Sequence, residues 1–184
     1  MQNGGFQAQP LMKLTLLLTM VFLTAFWATN FALYFAKMDL TPASVQDYYL
    51  GSEAQFTMPR TYQTMLEVTH AHLPMMALVV LLLTHLLIFA PYSFRVKVTF
   101  IGGAFLLAFL NEASGWLVRF VHPNFAVVKV AAFTLFQATL SFLIFAVGIF
   151  TYKGRKNQNG NGHHFRSEDE EKTTRTGKER ELHW

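Results

Sequence analysis

The stretch from Met65 to Phe89 decides the fold, and it reads MLEVTHAHLPMMALVVLLLTHLLIF. Its second half is apolar apart from Thr84 and His85. A helix of roughly 20 residues, rising about 1.5 Å per residue, crosses the ~30 Å hydrocarbon core of a bilayer. Inside that core the backbone must satisfy its own hydrogen bonds. The stretch therefore predicts a transmembrane α-helix.

Three further apolar runs of similar length cover about residues 14–36, 98–121 and 126–152. Together with residues 65–89 they predict an all-α, integral membrane four-helix bundle within residues 13–152. The composition agrees, because 52% of the 184 residues are hydrophobic and 14% are charged, against about 25% charged in soluble domains. The lipid bilayer is therefore the first expected partner, and we expect no nucleic-acid partner.

The two ends of the chain differ from this apolar part. Of the 26 Asp, Glu, Lys and Arg residues, 14 follow Thr151. High charge with few large apolar side chains is typical of disorder, so residues 153–184 are expected to form a disordered cytoplasmic tail. Residues 1–12 are a short, uncharged lead.

Basic residues predict the orientation of the spans. Lys13 precedes the first span, Arg95 and Lys97 lie between the second and third, and residues 153–156 contribute three more after the fourth. These positions share one side of the membrane, which the positive-inside rule assigns to the cytoplasm. Both termini are therefore expected to be cytoplasmic.

The outer loop between the first two spans contains a candidate helix. Residues 41–50 predict a short interfacial helix with Thr41 as N-cap and Pro42 in its first turn. Tyr48 and Tyr49 suit the headgroup level, where aromatic side chains concentrate.

Polar side chains inside the spans are the candidate functional residues, because they are costly in lipid and tend to mark function. In a helix turning 100° per residue, His70 shares a face with Glu67 and His85, whereas His72 lies on the opposite side. Pro74 removes the hydrogen bond to the His70 carbonyl, and a kink there would weaken this division.

The third span carries a stripe that ends in a histidine. Small side chains within it let a second helix or a flat ring approach the backbone. The stripe comprises Ala104, Ala108, Asn111, Gly115, Arg119 and His122.

These positions lead to a haem hypothesis. His122 and either His70 or His72 are expected to ligate one haem b iron near the outer surface, because bis-imidazole ligation suits electron transfer. The alternative is that these histidines bond to neighbouring helices or water, with His122 capping the turn before the fourth span. Three basic residues are candidate partners for the haem propionates: Arg119, Lys129 and Arg60.

A second haem at His85 is left open. His85 lies roughly 22 Å from His70 along the helix, and no other histidine in the spans lies at that depth. Met20 or a residue of another subunit is a candidate sixth ligand. A hydrogen bond from His85 to a neighbouring helix is the alternative.

Two carboxylates within the spans have several candidate roles. Glu112 either pairs with Arg119, or it carries protons or binds a quinone hydroxyl. Glu67 is a second candidate for proton or quinone chemistry. With His70 it also forms a Glu-x-x-His pair of the kind used at di-iron sites, although the further carboxylates of such sites are missing.

The chain contains no cysteine, which excludes disulfides, thiolate metal ligands and covalent c-type haem attachment. It also lacks a signature for ATP or dinucleotide binding and an evident catalytic centre. We therefore expect a subunit of a membrane oxidoreductase complex that is not catalytic alone.

The bundle with His70, His85 and His122 resembles small four-helix b-type cytochromes, such as the membrane subunits of respiratory hydrogenases and formate dehydrogenases. Residues 48–53 (YYLGSE) and 66–72 (LEVTHAH) also look like stretches of bacterial membrane proteins without an assigned activity. The resemblance covers the spans and implies a multi-pass protein of the bacterial inner membrane. The missing fourth deep histidine departs from the dihaem pattern.

The leading functional expectation is therefore electron transfer through haem, with quinone or with a partner subunit such as a c-type cytochrome. One alternative is a non-catalytic subunit that anchors a larger membrane complex. The other is a metal site or transporter built on histidines and a carboxylate, namely Glu67, His70, His72 and His122.

Overall fold

The computed structural model describes residues 10–151, and helices account for most of them. α1 spans Pro10–Phe35, α2 spans Pro42–Leu50 and α3 spans Tyr62–Phe89. α4 spans Phe94–Phe120 and α5 spans Phe125–Thr151. Within this described part, the four long helices are each long and apolar enough to cross a membrane. The all-α, four-span prediction is confirmed.

Residues 1–9 and 152–184 lie outside the described part of the chain. The predicted disordered tail of 153–184 falls there, as does most of the lead of 1–12. The cytoplasmic location of both termini stays a prediction.

The long helices begin a little before the predicted spans and end close to them. α3 begins three residues early, at Tyr62, because Thr61 is its N-cap and the Thr61 hydroxyl accepts a hydrogen bond from the backbone N–H of Thr64 at 3.2 Å. α3 then continues through Pro74 to Phe89.

The short helix α2 confirms the prediction for residues 41–50. The Thr41 hydroxyl accepts from the Ser44 N–H at 3.3 Å, and Pro42 occupies the first turn. α2 packs against α4. The Gln46 side-chain amide donates to the Pro123 carbonyl at 3.1 Å, so α2 is also tied to the turn between α4 and α5.

Gly51 ends α2 in a conformation that favours glycine, with φ of 84°. A Cβ atom there would lie 2.6 Å from the Thr57 carbonyl oxygen. The close approach allows Ser52 and Thr57 to form an isolated antiparallel bridge.

The chain divides into two compact units. The described part of the first comprises residues 10–18 and 148–151, and in it the Thr15 hydroxyl donates to the Leu11 carbonyl at 3.0 Å. The second, Thr19–Val147, holds the candidate site.

Aromatic rings pack the second unit across its helices. The ring centroids of Tyr34 and Phe133 lie 3.7 Å apart, and those of Phe100 and Phe142 lie 4.0 Å apart. Val45 of α2 and Val118 of α4 are buried in the same unit, as part of one hydrophobic cluster.

Large apolar side chains are exposed along the middle of the long helices. Leu78 is 61% exposed, Phe109 62% and Phe145 69%. Hydrocarbon chains solvate such side chains as well as a protein interior does, so this surface fits a helix bundle in lipid.

Candidate functional site

A cavity of about 510 Å³ lies within the second unit. Side chains from all five helices line it, together with Lys37 and Arg60 from the connection between α1 and α3. Phe133 and Phe136 of α5 form part of its apolar wall, and Met65 and Met76 of α3 add flexible thioethers. Apolar cavities with a few convergent polar groups are typical ligand sites.

Glu112 of α4 is fixed at the wall of this cavity by Thr69 of α3. The Thr69 hydroxyl donates to Glu112 Oε1 at 2.5 Å, and the Trp116 indole N–H donates to the same hydroxyl at 2.8 Å. An indole nitrogen only donates and a threonine hydroxyl has one proton. Thr69 therefore donates its hydroxyl proton to Glu112, and Glu112 Oε1 is the acceptor.

His72 of α3 is the second partner of Glu112. Its Nδ1 lies 3.4 Å from Glu112 Oε2. Opposite a carboxylate oxygen, Nδ1 carries a proton, so Nε2 of a neutral His72 is an acceptor. The His72 side chain is 47% exposed and that of Glu112 is 12% exposed. The two residues form a His–carboxylate pair that a ligand in the cavity can reach.

Lys129 of α5 places a positive charge beside this pair. It is 7% exposed, and its ammonium donates to the Asn111 backbone carbonyl at 2.6 Å and to Asn111 Oδ1 at 3.2 Å. It also interacts electrostatically with Glu112. Buried charges are costly unless they are hydrogen-bonded and paired. Lys129 makes two hydrogen bonds to Asn111, and Glu112 attracts it from beyond ion-pair distance.

Gln137 lies deeper in α5 and also lines the cavity. It is 3% exposed, and its Oε1 has no hydrogen-bond partner among the described residues. An unpaired buried acceptor costs about 1–3 kcal/mol. That oxygen is itself buried, so it lies beneath the surface of the cavity wall.

Tyr49 of α2 reaches the small-residue stripe of α4. It is 7% exposed, and a Cβ atom added to Gly115 would lie 2.7 Å from the Tyr49 hydroxyl oxygen. A flat ring against this stripe is therefore supplied by Tyr49, and the headgroup-level placement of Tyr49 stays a prediction. Burial raises the pKa of Tyr49 above its usual range, so the phenol is neutral.

The predicted histidines take up separate positions. Among the described residues, His72 is the histidine that lines the cavity. His70 and His85 are exposed, and the His85 ring packs edge-on against Phe89 with centroids 5.5 Å apart. His122 lies in the turn after α4, where its Nδ1 accepts from the Asn124 N–H at 3.2 Å.

The expected pairing of Glu112 with Arg119 is wrong. Arg119 Nε donates to the Arg60 carbonyl at 2.7 Å, and its guanidinium carbon lies 5.2 Å from the Phe120 ring centroid. Glu112 is bound to α3 instead, through Thr69 and His72. Arg119 therefore anchors the segment that leads into α3.

Glu67 lies outside this arrangement. It is exposed, and its Oε1 accepts from the Gln63 side-chain amide at 2.9 Å, one turn earlier in α3. Within residues 10–151, no group of three or more His, Asp or Glu side chains is placed to hold a metal ion. The Glu67–His70 pair is thus not part of a multi-carboxylate metal site in the described chain.

Three polar residues of the site had no assigned role in the sequence analysis: Thr69, Trp116 and Gln137. Gln137 had a usable signal, because it interrupts the apolar run of the fourth span. The roles of Thr69 and Trp116 depend on how α3 and α4 face each other, which the sequence pattern alone does not define.

Comparison with known proteins identifies one matching family model. Residues 39–158 match the family model Aq_1264_TM, described as a transmembrane helical domain. No curated protein and no solved structure matches the chain. The match covers well over half of the 184 residues and includes α2 to α5. The chain belongs to the Aq_1264_TM family of transmembrane helical domains.

Proposed function

We propose that the chain is a membrane electron-transfer subunit that binds a quinol or quinone in the cavity. In this proposal the His72–Glu112 pair accepts the proton. The observation that carries it is the position of that pair on the cavity wall, with Nδ1 and Oε2 3.4 Å apart and Glu112 held by Thr69.

The shape and chemistry of the cavity suit a quinol ring. A quinol has a flat apolar ring and two hydroxyls on opposite edges, and aromatic walls such as Phe133 and Phe136 favour flat rings. His72, whose Nε2 is an acceptor, lines the cavity and offers one partner for such a hydroxyl. Because the cavity lies among spans, a lipid-soluble ligand can enter from the bilayer.

The chemistry balances as a quinol oxidation. Quinol loses two protons and two electrons to become quinone. The first hydroxyl proton passes to His72 Nε2 while the Nδ1 proton is shared with Glu112, in the manner of a general base oriented by a carboxylate. His72 then releases this proton at its exposed edge. It accepts the second proton after the ring has turned its other hydroxyl towards Nε2. The two electrons pass singly to a one-electron redox centre of a partner subunit.

The histidines of the described chain fit a bis-histidine haem less well. A metal-ligating histidine normally donates from its second ring nitrogen, whereas His122 Nδ1 accepts from Asn124. His122 is thus arranged as a turn cap, which was the predicted alternative to haem ligation. It has no part in the electron transfer proposed here. Haem ligation by His122 with His70 or His72 stays a prediction, which a reduced-minus-oxidised difference spectrum tests.

The direct test is a titration of the purified protein with short-tailed quinols and quinones. Trp116 is bonded to Thr69 behind the site, so its fluorescence reports an occupied cavity. Replacing Trp27 and Trp184 by Phe leaves Trp116 as the single tryptophan of the three in the chain. Saturable quenching supports the proposal. A linear response like that of free indole in the same detergent contradicts it.

A further inference from the structure

The charges that line the cavity do not balance. Among the described lining residues, three are cationic, Lys37, Arg60 and Lys129, and one is a carboxylate, Glu112. Lys129 and Glu112 interact with each other. Neither Lys37 nor Arg60 has a carboxylate oxygen of a described residue within 4.0 Å. Two cations at the cavity are therefore left without an anion.

Arg60 is held in place by its surroundings. Its backbone N–H donates to the Tyr49 carbonyl at 3.1 Å, and its carbonyl accepts from Arg119 Nε at 2.7 Å. Its guanidinium carbon lies 4.2 Å from the Tyr48 ring centroid. Stacking occupies a face of the guanidinium and leaves the N–H donors at its edge available. Arg60 is thus positioned to donate to a ligand.

Lys37 and Arg60 lie at one end of the spans. Lys37 follows the end of α1 by two residues, and Arg60 precedes α3 by two residues. Consecutive spans cross in opposite directions, so both positions lie at the same membrane surface. Tyrosines such as Tyr48 concentrate at headgroup level, which is also where lipid phosphates lie.

We infer that Lys37 and Arg60 bind the phosphate group of an anionic phospholipid at the mouth of the cavity. A phosphodiester offers acceptor oxygens to both an arginine edge and a lysine ammonium. A net anionic headgroup neutralises one of the two excess charges. A zwitterionic headgroup adds its own ammonium and neutralises none, so the site prefers anionic lipid. This inference does not depend on the quinol proposal.

The test is a lipid titration of the delipidated, full-length protein in detergent. Phosphatidylglycerol, phosphatidylcholine with the same acyl chains, and inorganic phosphate are each added, and bound molecules are counted by native mass spectrometry. We expect phosphatidylglycerol to bind at least about tenfold more tightly than phosphatidylcholine, in line with the strength of charge-assisted hydrogen bonds. Inorganic phosphate is expected not to compete.

Matched variants locate the site. Lys37→Gln and Arg60→Gln are expected to weaken phosphatidylglycerol binding by about tenfold each, and Arg60→Lys by less. Arg95→Gln removes an exposed cation that does not line the cavity, and is expected to change nothing. Because Lys37 is exposed, its variant is a safe substitute if Arg60→Gln fails to fold.

Three outcomes would overturn the inference. Equal affinity for the two lipids would contradict selection by charge. Equal effects of Arg95→Gln and Lys37→Gln on lipid binding would contradict the placement of the site at Lys37. Competition by inorganic phosphate would identify a free-phosphate site rather than a lipid site. Quinol quenching of Trp116 is measured on the same variants, so failure of the lipid site is distinguished from failure of the quinol proposal.

Discussion

Glu112 Oε2 lies 3.4 Å from Nδ1 of His72, a residue 40 positions earlier in the chain. The contact joins α4 to α3 at the wall of the cavity. Because Thr69 donates to the other carboxylate oxygen, Oε2 is the oxygen that faces the imidazole. This arrangement determines which His72 nitrogen carries the proton, and the first prediction depends on it.

Glu112→Gln is expected to reverse the ligand preference of the cavity. Thr69 would still donate to the amide oxygen, so the amide NH₂ would face His72 and donate to Nδ1. Nε2 would then carry the proton and favour a quinone carbonyl over a quinol hydroxyl. We expect the ratio of quinol Kd to quinone Kd to rise at least about tenfold.

The matched control is Glu67→Gln in α3, because Glu67 is exposed and bonds to Gln63. Its Kd ratio should equal that of the wild type. An equal fall in affinity for both ligands in Glu112→Gln would mean that Glu112 acts through the shape of the cavity alone.

Thr69→Val should destabilise the protein by about 1–3 kcal/mol. The substitution keeps the side-chain volume but leaves the Trp116 N–H without its acceptor and Glu112 without its donor. The free energy of unfolding is measured by reversible denaturation in mixed micelles. Thr134→Val is the control, since that exposed hydroxyl donates only to its own helix, at Val130, and a change within about 0.5 kcal/mol is expected. Similar losses in the two variants would contradict the assigned bonds.

Gly115→Ala should cost about 1–3 kcal/mol of unfolding free energy, because overpacking forces neighbours to shift. The new methyl group would lie 2.7 Å from the Tyr49 hydroxyl. Gly103→Ala, on the same helix, has no atom within 4 Å of its added Cβ and should be neutral or stabilising. Tyr49→Leu should remove most of the difference between the two alanine variants. A difference that persists in that background would show that Tyr49 is not the obstacle.

A reduced-minus-oxidised spectrum separates the two accounts of His122. As a turn cap for Asn124, His122 can be replaced by Ala without changing any b-type α-band of the purified complex. As a haem ligand, its loss abolishes the band. We expect the first result. Loss of the band in His122→Ala but not in His183→Ala, which changes a histidine outside the predicted spans, would restore the bis-histidine proposal.

The sequence pattern was sufficient for the architecture. An apolar run as long as residues 65–89 forms a helix in lipid, because its backbone groups must bond to one another. The N-cap at Thr41 is recognisable from the residue type alone. The spans of α3 and α4 were therefore predictable, and so was the short helix α2.

The candidate site was only partly predictable. Glu112 and His72 were identified as costly polar residues, but their contact depends on the rotation of α3 against α4. A helical wheel placed His70 on the face of Glu67 and His85 and put His72 on the opposite side, and the choice between the two histidines stayed open. The contact of Tyr49 with Gly115 was not predicted, because a sequence pattern does not show that Gly115 leaves room for this ring. Long-range packing decided each of these points.

The measurement that tests the central claim most directly is quinol binding to His72→Asn and His70→Asn. Both histidines lie in α3, two residues apart, and His72 is the one that lines the cavity. With Trp116 as the single tryptophan, we predict that His72→Asn raises the quinol Kd at least about tenfold, while His70→Asn leaves it unchanged. Equal effects of the two substitutions, or no saturable binding by the wild type, would contradict the proposal that this cavity is a quinol site.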